Sequence, residues 1–501
     1  MHREFTGYSA GTMSAHRNLI FITMAALTAG CVADRQAPLP ADVPSSFENA
    51  SPAGGQWPAQ EWYREFGSQE LDTFVDLAAK TNWDLAAARA RVAQADARAR
   101  QARAAILPTI DGTGTGNYFA GHSSQGSGHE FDWSAMLSAS YEVDFWGKNR
   151  ATADSARFLA GASRAEQDTV ALTTLAGVAN GYFQELALRE RLAIARSNRD
   201  TARQLLEVVQ ARFDAAIASP IDLATQKTAL DAAQIAISDL QQTEVEARTA
   251  LALLLGRAPE QFEVGGQPLD SVREPAVGAG LPSELLTRRP DILLAESNLR
   301  AGHADLIAAR AALFPSLSLT GGAGVANPVL PATVLTIGGI GPSFTLGANL
   351  VQPIFDHGRL KAQRDEVQAK NVELLSQYRA SIIAAFGDVE NALAAIQHLN
   401  EAREFQIDNV AQSERAFEGA KARYQAGSVD FLTLLEAQRT LYAARDQFIQ
   451  YKLARLQAAV SLCKALGGGW SQQQGQPPGQ PQAQQPGPPP TNQTTSWNAS
   501  R

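Results

Sequence analysis

The sequence predicts a mainly α-helical protein with two amphipathic β-hairpins of the membrane-barrel type, built as an internal twofold repeat. Three observations lead there. Phe145-Trp146-Gly147-Lys148 recurs as Phe355-Asp356-His357-Gly358-Arg359, which places Gly147 on Gly358 at an offset of 211. The same offset carries Arg212-Phe213 onto Arg423-Tyr424, Leu223 onto Leu434 and Leu255-Gly256 onto Leu466-Gly467. Upstream, Leu107-Pro108 matches Phe314-Pro315 at 207. Ahead of each glycine the residues alternate apolar and polar, the period of a strand between two environments. Behind each glycine runs a long proline-free stretch with helical periodicity. Duplication at this period implies two supersecondary units of one architecture.

Residues 1–30 read as a signal peptide, because His16 and Arg17 precede an apolar run, Leu19 to Leu27, that is too short to span a bilayer. Thr28-Ala29-Gly30-Cys31 follows and resembles a bacterial lipobox, in which the signal is cut before the cysteine and lipid is attached to it. The resemblance implies lipid attachment at Cys31, and Val32 in place of aspartate implies sorting to the outer membrane. An ordinary cysteine beside a signal peptide is the alternative. Residues 31–61 are then a lipidated extended segment. Cys463 is the one cysteine left, so no disulfide framework exists. It neighbours a heptad core position and reads as a small buried hydrophobe. No later stretch is long and apolar enough for a spanning helix, so any span must be made of strands.

The first repeat covers 62–270. Its arginine-rich stretch Ala88 to Ala105 reads as a solvated helix face, and the chain's net charge of -8 gives no nucleic-acid footprint. In the hairpin 109–145, Trp133, Ala135, Leu137, Ala139, Tyr141 and Val143 alternate with largely polar residues, and Thr109 to Phe119 supplies the partner strand. The second repeat, 271–470, has its hairpin at 316–355, with Phe344, Leu346, Ala348 and Leu350 set against Ser343, Thr345, Gly347 and Asn349. Loops are expected at Ala120 to Asp132 and Ala326 to Pro342, both rich in Gly, Ser or Pro. A soluble two-sided sheet would alternate in the same way. Four strands cannot close a membrane barrel when the smallest have about eight, so two, three or four copies would be needed.

From Gly147 to about Gln210 a helix would be roughly 95 Å long, and Gly358 to Arg423 is its counterpart. The last helix of each half carries a seam: Leu434, Ala437, Leu441, Ala444, Phe448, Tyr451, Arg455, Ala458 and Leu462 in one, Leu223, Gln226, Leu230 and onward through Glu244 in the other. Arg455 and Glu244 share one register, and either pair between neighbouring helices or reach solvent past the seam. The turns at Phe213 to Ile221 and Tyr424 to Leu432 lie at the far end of the rods from the strands and form a tip, with Ser219-Pro220 suited to a helix start.

Four motifs stand in order along the chain: Tyr141 to Gly147; Leu285-Leu286-Thr287-Arg288-Arg289-Pro290-Asp291-Ile292; Gln352 to Arg359; and Leu432-Thr433-Leu434-Leu435-Glu436-Ala437-Gln438-Arg439. With them the stretch from Trp62 to Trp470 resembles the outer membrane efflux channels of the TolC and OprM type, in the NodT-like lipoprotein branch. The resemblance implies a homotrimer whose twelve strands form an outer membrane barrel continued by a periplasmic helical tube. It implies partnership with a periplasmic adaptor and an inner membrane transporter of the RND type, with the exit of drugs or other small molecules, and with no catalysis. A duct for protein secretion or metal-ion efflux is the alternative. By position, the resemblance assigns Tyr424, Leu432, Glu436 and Arg439 to the periplasmic gate and Arg212, Phe213, Arg423 and Gly427 to adaptor contact. Similar channels carry aspartate where Glu436 stands. Glu436 and Arg439 could instead form a surface pair at spacing three.

No enzyme is legible. The seven histidines are scattered, no metal-ligand spacing occurs, and Gly112, Gly114 and Gly116 sit in a strand rather than in a dinucleotide loop, so no cofactor is expected. A structural coiled-coil lipoprotein would explain the heptads but not the hairpins. Only Met136 survives signal cleavage, which leaves no methionine path for soft metals. The tail 471–501 is dominated by Gln, Pro and Gly and is expected to be disordered.

Overall fold

The computed structural model describes residues 44–49, 57–123, 126–265, 267–327 and 341–468. The signal peptide, Cys31 and the 471–501 tail lie outside the described residues, as does most of the expected loop 326–342. Helices α1 (Gln69–Thr81) and α2 (Trp83–Ala104) lead into strands β1 (Thr109–Ser123) and β2 (Gly126–Val143), then α3 (Lys148–Asp214) and α4 (Pro220–Leu254). After two short 3-10 turns come α5 (Pro282–Arg288), α6 (Pro290–Ala311), β3 (Ser316–Asn327), β4 (Gly341–Val351), α7 (Arg359–Gln425) and α8 (Phe431–Ala465). α3 and α7 have 67 residues each, and α4 and α8 have 35 each. At about 1.5 Å per residue the longer rods reach about 100 Å.

Local chemistry sets the helix ends. The Ser68 and Asn82 side chains accept from the amides of Leu71 and Leu85 and cap α1 and α2. α4 opens on a capping box between Ser219 and Asp222 with Pro220 at its first position, and α8 opens on Asp430, which accepts from the Thr433 amide. Gly256 and Gly467 leave α4 and α8 in the left-handed region. A Cβ at Gly467 would lie 2.7 Å from the Arg288 carbonyl oxygen, and one at Gly256 would strike that of Thr81, so both positions need glycine for close approach as well as for φ.

The strands form one antiparallel sheet in the order β1-β2-β3-β4. Directly opposed residues share a face, and the register sorts the two faces cleanly. Ile110, Ala139, Gly321 and Leu346 form one rung, while Asp111, Ser138, Gly322 and Thr345 form the next on the opposite face. The apolar face is bare: Leu137, Phe344, Leu346 and Leu350 are all exposed, Leu346 at 95%. The expected loop Ala120 to Asp132 is instead mostly strand, with Ala120 opposite His129 and His122 opposite Ser127. Strands of 15 and 18 residues exceed the ~9–11 that cross a bilayer. A bilayer span would use only part of such a hairpin, and the Gly and Ser of the remainder imitate a turn. β4 likewise ends at Val351 rather than running to Phe355.

The buried core lies along the rods. Tyr182, Phe183 and Leu186 of α3 pack on Trp62, Phe66 and Leu71, joined by Leu251 and Leu255 of the α4 end and by Val460 and Cys463 of α8. Leu285 meets Val389 and Leu393 of α7 and Leu462 of α8 in a second cluster. Towards the tips, Leu205 and Val209 meet Phe417, Tyr424, Phe431 and Leu434. The α8 seam is buried at Leu434, Leu441, Ala444, Tyr451, Ala458 and Leu462, and Gln226 of the α4 seam is buried with its amide donating to the Ala202 carbonyl at 2.9 Å. Cys463 is fully buried, which pushes its thiol up to about 12. Arg91, Arg98, Arg100 and Arg103 of α2 are exposed. Within the chain the suggested Arg455 to Glu244 pair is not formed. Arg455 pairs with Glu274, and Glu244 lies 4.0 Å from Arg248 on its own helix. Equal height on two helices does not make them adjacent, and the segment that follows α4 brings Glu274 to Arg455 first. Among the described residues no helix is long and apolar enough to cross a membrane.

Candidate functional site

At the tips, α3 and α7 reverse within a few residues by the same backbone closure. The amides of Ile217 and Ser428 donate to the carbonyls of Arg212 and Arg423 at 2.8 and 2.9 Å. Each reversal needs one left-handed residue, which is Gly427 (φ 75) in one turn and Ala216 (φ 59) in the other. The two turns are then fastened together. The Arg212 guanidinium lies 4.5 Å from the Tyr424 ring centroid, and its Nη1 donates to the Tyr424 carbonyl at 2.5 Å. Tyr424 is 4% exposed and its ring sits 6.0 Å from that of Phe431. Burial pushes its hydroxyl pKa up, with Arg212 opposing and Asp222 adding to the effect.

The structure thus brings one residue of the expected gate set, Tyr424, onto one of the expected adaptor set, Arg212. The others stand apart. Leu432 is 69% exposed, Glu436 and Arg439 are exposed on the same helix, and among the described residues they form no ion pair with each other. Phe213 is half-buried, while Arg423 and Gly427 are exposed. Ile221, at the position equivalent to Leu432, is also exposed, so both turns present an apolar side chain.

Further up the rods lie fastenings that sequence reasoning missed. Arg191 of α3 forks onto Asp446 of α8 at 2.6 and 3.1 Å, and the Tyr442 hydroxyl donates to the Asn198 carbonyl at 2.6 Å while accepting from Gln438. Arg289, noticed only as part of a motif, is 8% exposed and donates to the Ala465 carbonyl, to both oxygens of Asp291 and to Asp388. Burial works against its charge, but the bonds and charges of Asp291 and Asp388 outweigh that and raise its pKa. Asn82 does the matching work in the first half by donating to the Leu254 carbonyl at 2.9 Å. Only the shared place before a helix, 207 apart, could have signalled the match.

Among the described residues no three His, Cys, Asp or Glu side chains are grouped to hold a metal ion. What the geometry offers is a long rod bundle fastened along its length, a two-faced sheet at one end and a laced, partly apolar tip at the other.

The family described as outer membrane efflux protein matches residues 74–257 and 281–468. The pyoverdine export outer membrane protein OpmQ of Pseudomonas aeruginosa is 43% identical over 470 residues, 91% of this chain and 97% of its own. The cation efflux system protein CusC of Escherichia coli is 32% identical over 82% of this chain and 88% of its own. The solved outer-membrane channel OprN shares the fold with a TM-score of 0.79 at 26% identity, covering 86% of this chain and 98% of OprN.

Proposed function

We propose, from the premise that the chain belongs to the outer membrane efflux protein family, that three copies of it form the exit channel of a tripartite pump. A periplasmic adaptor and an inner membrane transporter of the RND type complete the machine, and the protein itself catalyses nothing. The observation that carries this reading is the sheet. It has one bare apolar face, one polar face and two open edges, β1 and β4. Open edges call for partners, and a ring in which β4 of one copy pairs with β1 of the next closes twelve strands with the apolar face to lipid. The rods then run on into the periplasm as a helical tube.

The reading also takes in residues 1–30 as signal peptide, 31–61 as a segment lipidated at Cys31, and 62–270 and 271–470 as repeated halves. Equal helix lengths and the matched fastenings of Asn82 and Arg289 support the duplication. At the tip, Leu432 and Glu436 give an apolar and an acidic ring under threefold symmetry, with Tyr424 and Arg439 beside them, and Arg212, Phe213, Arg423 and Gly427 meet the adaptor. The cargo is a small organic molecule, as the name of the OpmQ relative indicates for pyoverdine. Lipidated trimers in planar bilayers should conduct weakly, and more strongly with Glu436→Ala. Trimers that never conduct, even with that substitution, would sink the reading.

A further inference from the structure

The chain is acidic overall, at -8, yet the junction between sheet and rods is lined with bases. The first turns of α3 and α7 hold no acid and carry Lys148, Arg150, Arg359 and Lys361. At the first junction the chain neutralises itself: Glu142 lies 2.6 Å from Lys148, and Asp144 lies 3.1 Å from Arg150. At the second it does not. Asp356 is spent on the amides of Gly358 and Leu360, and among the described residues Arg359 and Lys361 are exposed and take part in no ion pair. Because Asp356 already occupies those amides, the free positive charge resides in the two side chains rather than in the helix end.

The surface that leads to these bases is apolar. Leu350 of β4 is 67% exposed on the sheet's apolar face, and Ile354 and Phe355, which follow it, are 96% and 78% exposed. Within a dozen residues the chain therefore passes from a bare apolar strand face through a bare apolar tip to two unpaired cations. A phospholipid has the same order of parts, from acyl chain to phosphate. Bases beside a bilayer attract anionic headgroups, and an inorganic anion would leave Ile354 and Phe355 without a role.

We propose that Arg359 and Lys361, with Ile354 and Phe355, dock an anionic phospholipid of the bilayer leaflet facing the periplasm, one for each chain. Its phosphate lies against the two bases and its acyl chains lie along β4. This rests on the membrane reading above and adds a ligand to it.

The test uses detergent-extracted trimers incubated with equal phosphatidylglycerol and phosphatidylethanolamine, with the retained lipid counted by native mass spectrometry. The wild type should retain phosphatidylglycerol in roughly tenfold preference. Arg359→Gln with Lys361→Gln should abolish the preference, and the distant exposed control Arg257→Gln should keep it. Equal retention of the two lipids by the wild type, or a preference that survives the double substitution, would overturn the proposal, as would displacement of the lipid by inorganic phosphate. Conductance is measured in parallel. A double variant that conducts normally but has lost the preference supports the site, whereas wild-type trimers that never conduct count against the channel reading instead.

Discussion

Single residues decide how firmly the two turns are built and how the rods respond to pH. Ala216 occupies the left-handed position that Gly427 fills in the equivalent turn, and a Cβ at Gly427 would meet nothing within 4 Å. Any cost of a side chain there is therefore a backbone cost, about 1–2 kcal/mol. Gly427→Ala should destabilise by about 1 kcal/mol, and Ala216→Gly should be neutral or stabilise by up to the same amount, as read by thermal unfolding of each variant. Glu185 offers a second check. It is fully buried, with one oxygen on Arg189 at 3.2 Å and the other without a partner among the described residues. Burial raises its pKa, Arg189 opposes and Glu244 adds to the rise. A carboxyl that holds its proton more tightly when folded stabilises the fold at pH below the ordinary carboxylate range of about 4, and that contribution is lost as pH rises through the raised value. Glu185→Gln imitates the protonated form, so its unfolding midpoint should exceed that of the wild type at pH 8 by on the order of 1–3 °C. At pH 4 the two should coincide. Little of this was legible in the sequence. Arg289 could be seen as part of a motif, but its bond to the Ala465 carbonyl joins positions 176 apart, which no local pattern encodes.

At the scale of elements the sequence was far more transparent, because periodicity reports on one face at a time. The rods, the helix start at Ser219-Pro220 and the starts of β1 and β3 follow from local rules. The failure at Ala120 to Asp132 has the same cause, since composition tells apolar from polar surroundings but not strand from loop in water. Rungs of the sheet turn this into a prediction. Leu346 and Thr345 are neighbours in β4 that point to opposite faces, with Leu346 95% exposed on the apolar one. In the proposed barrel Leu346→Arg would place a charge in lipid, at about 2–4 kcal/mol near the bilayer midplane. It should sharply lower the yield of assembled trimer in the membrane fraction. Thr345→Arg lies on the opposite face, the lumen side of the proposed barrel, and should assemble normally with altered ion selectivity. Equal yields from the two variants would remove the lipid-facing assignment.

For the whole molecule the question is where two similar halves differ, since in the proposed trimer a gate would be built from side chains that one half carries and the other lacks. At the tip, Arg212 of the first half engages Tyr424 of the second through its ring face and its main-chain carbonyl. Neither contact uses the tyrosine hydroxyl. Each cross-contact holds the two turns of one chain together, and threefold symmetry would repeat it around the opening. Arg212→Ala removes the guanidinium from both contacts and should loosen all three tips, raising the open probability of trimers in planar bilayers several-fold. Tyr424→Phe keeps the ring and the carbonyl and should leave conductance at the wild-type level. Glu436→Ala acts on a different, exposed group, so its effect should add to that of Arg212→Ala, as independent sites do. If Tyr424→Phe opens the channel as much as Arg212→Ala, the hydroxyl has a bond in the trimer that the single chain does not make, and the fastening must be sought between copies rather than within one.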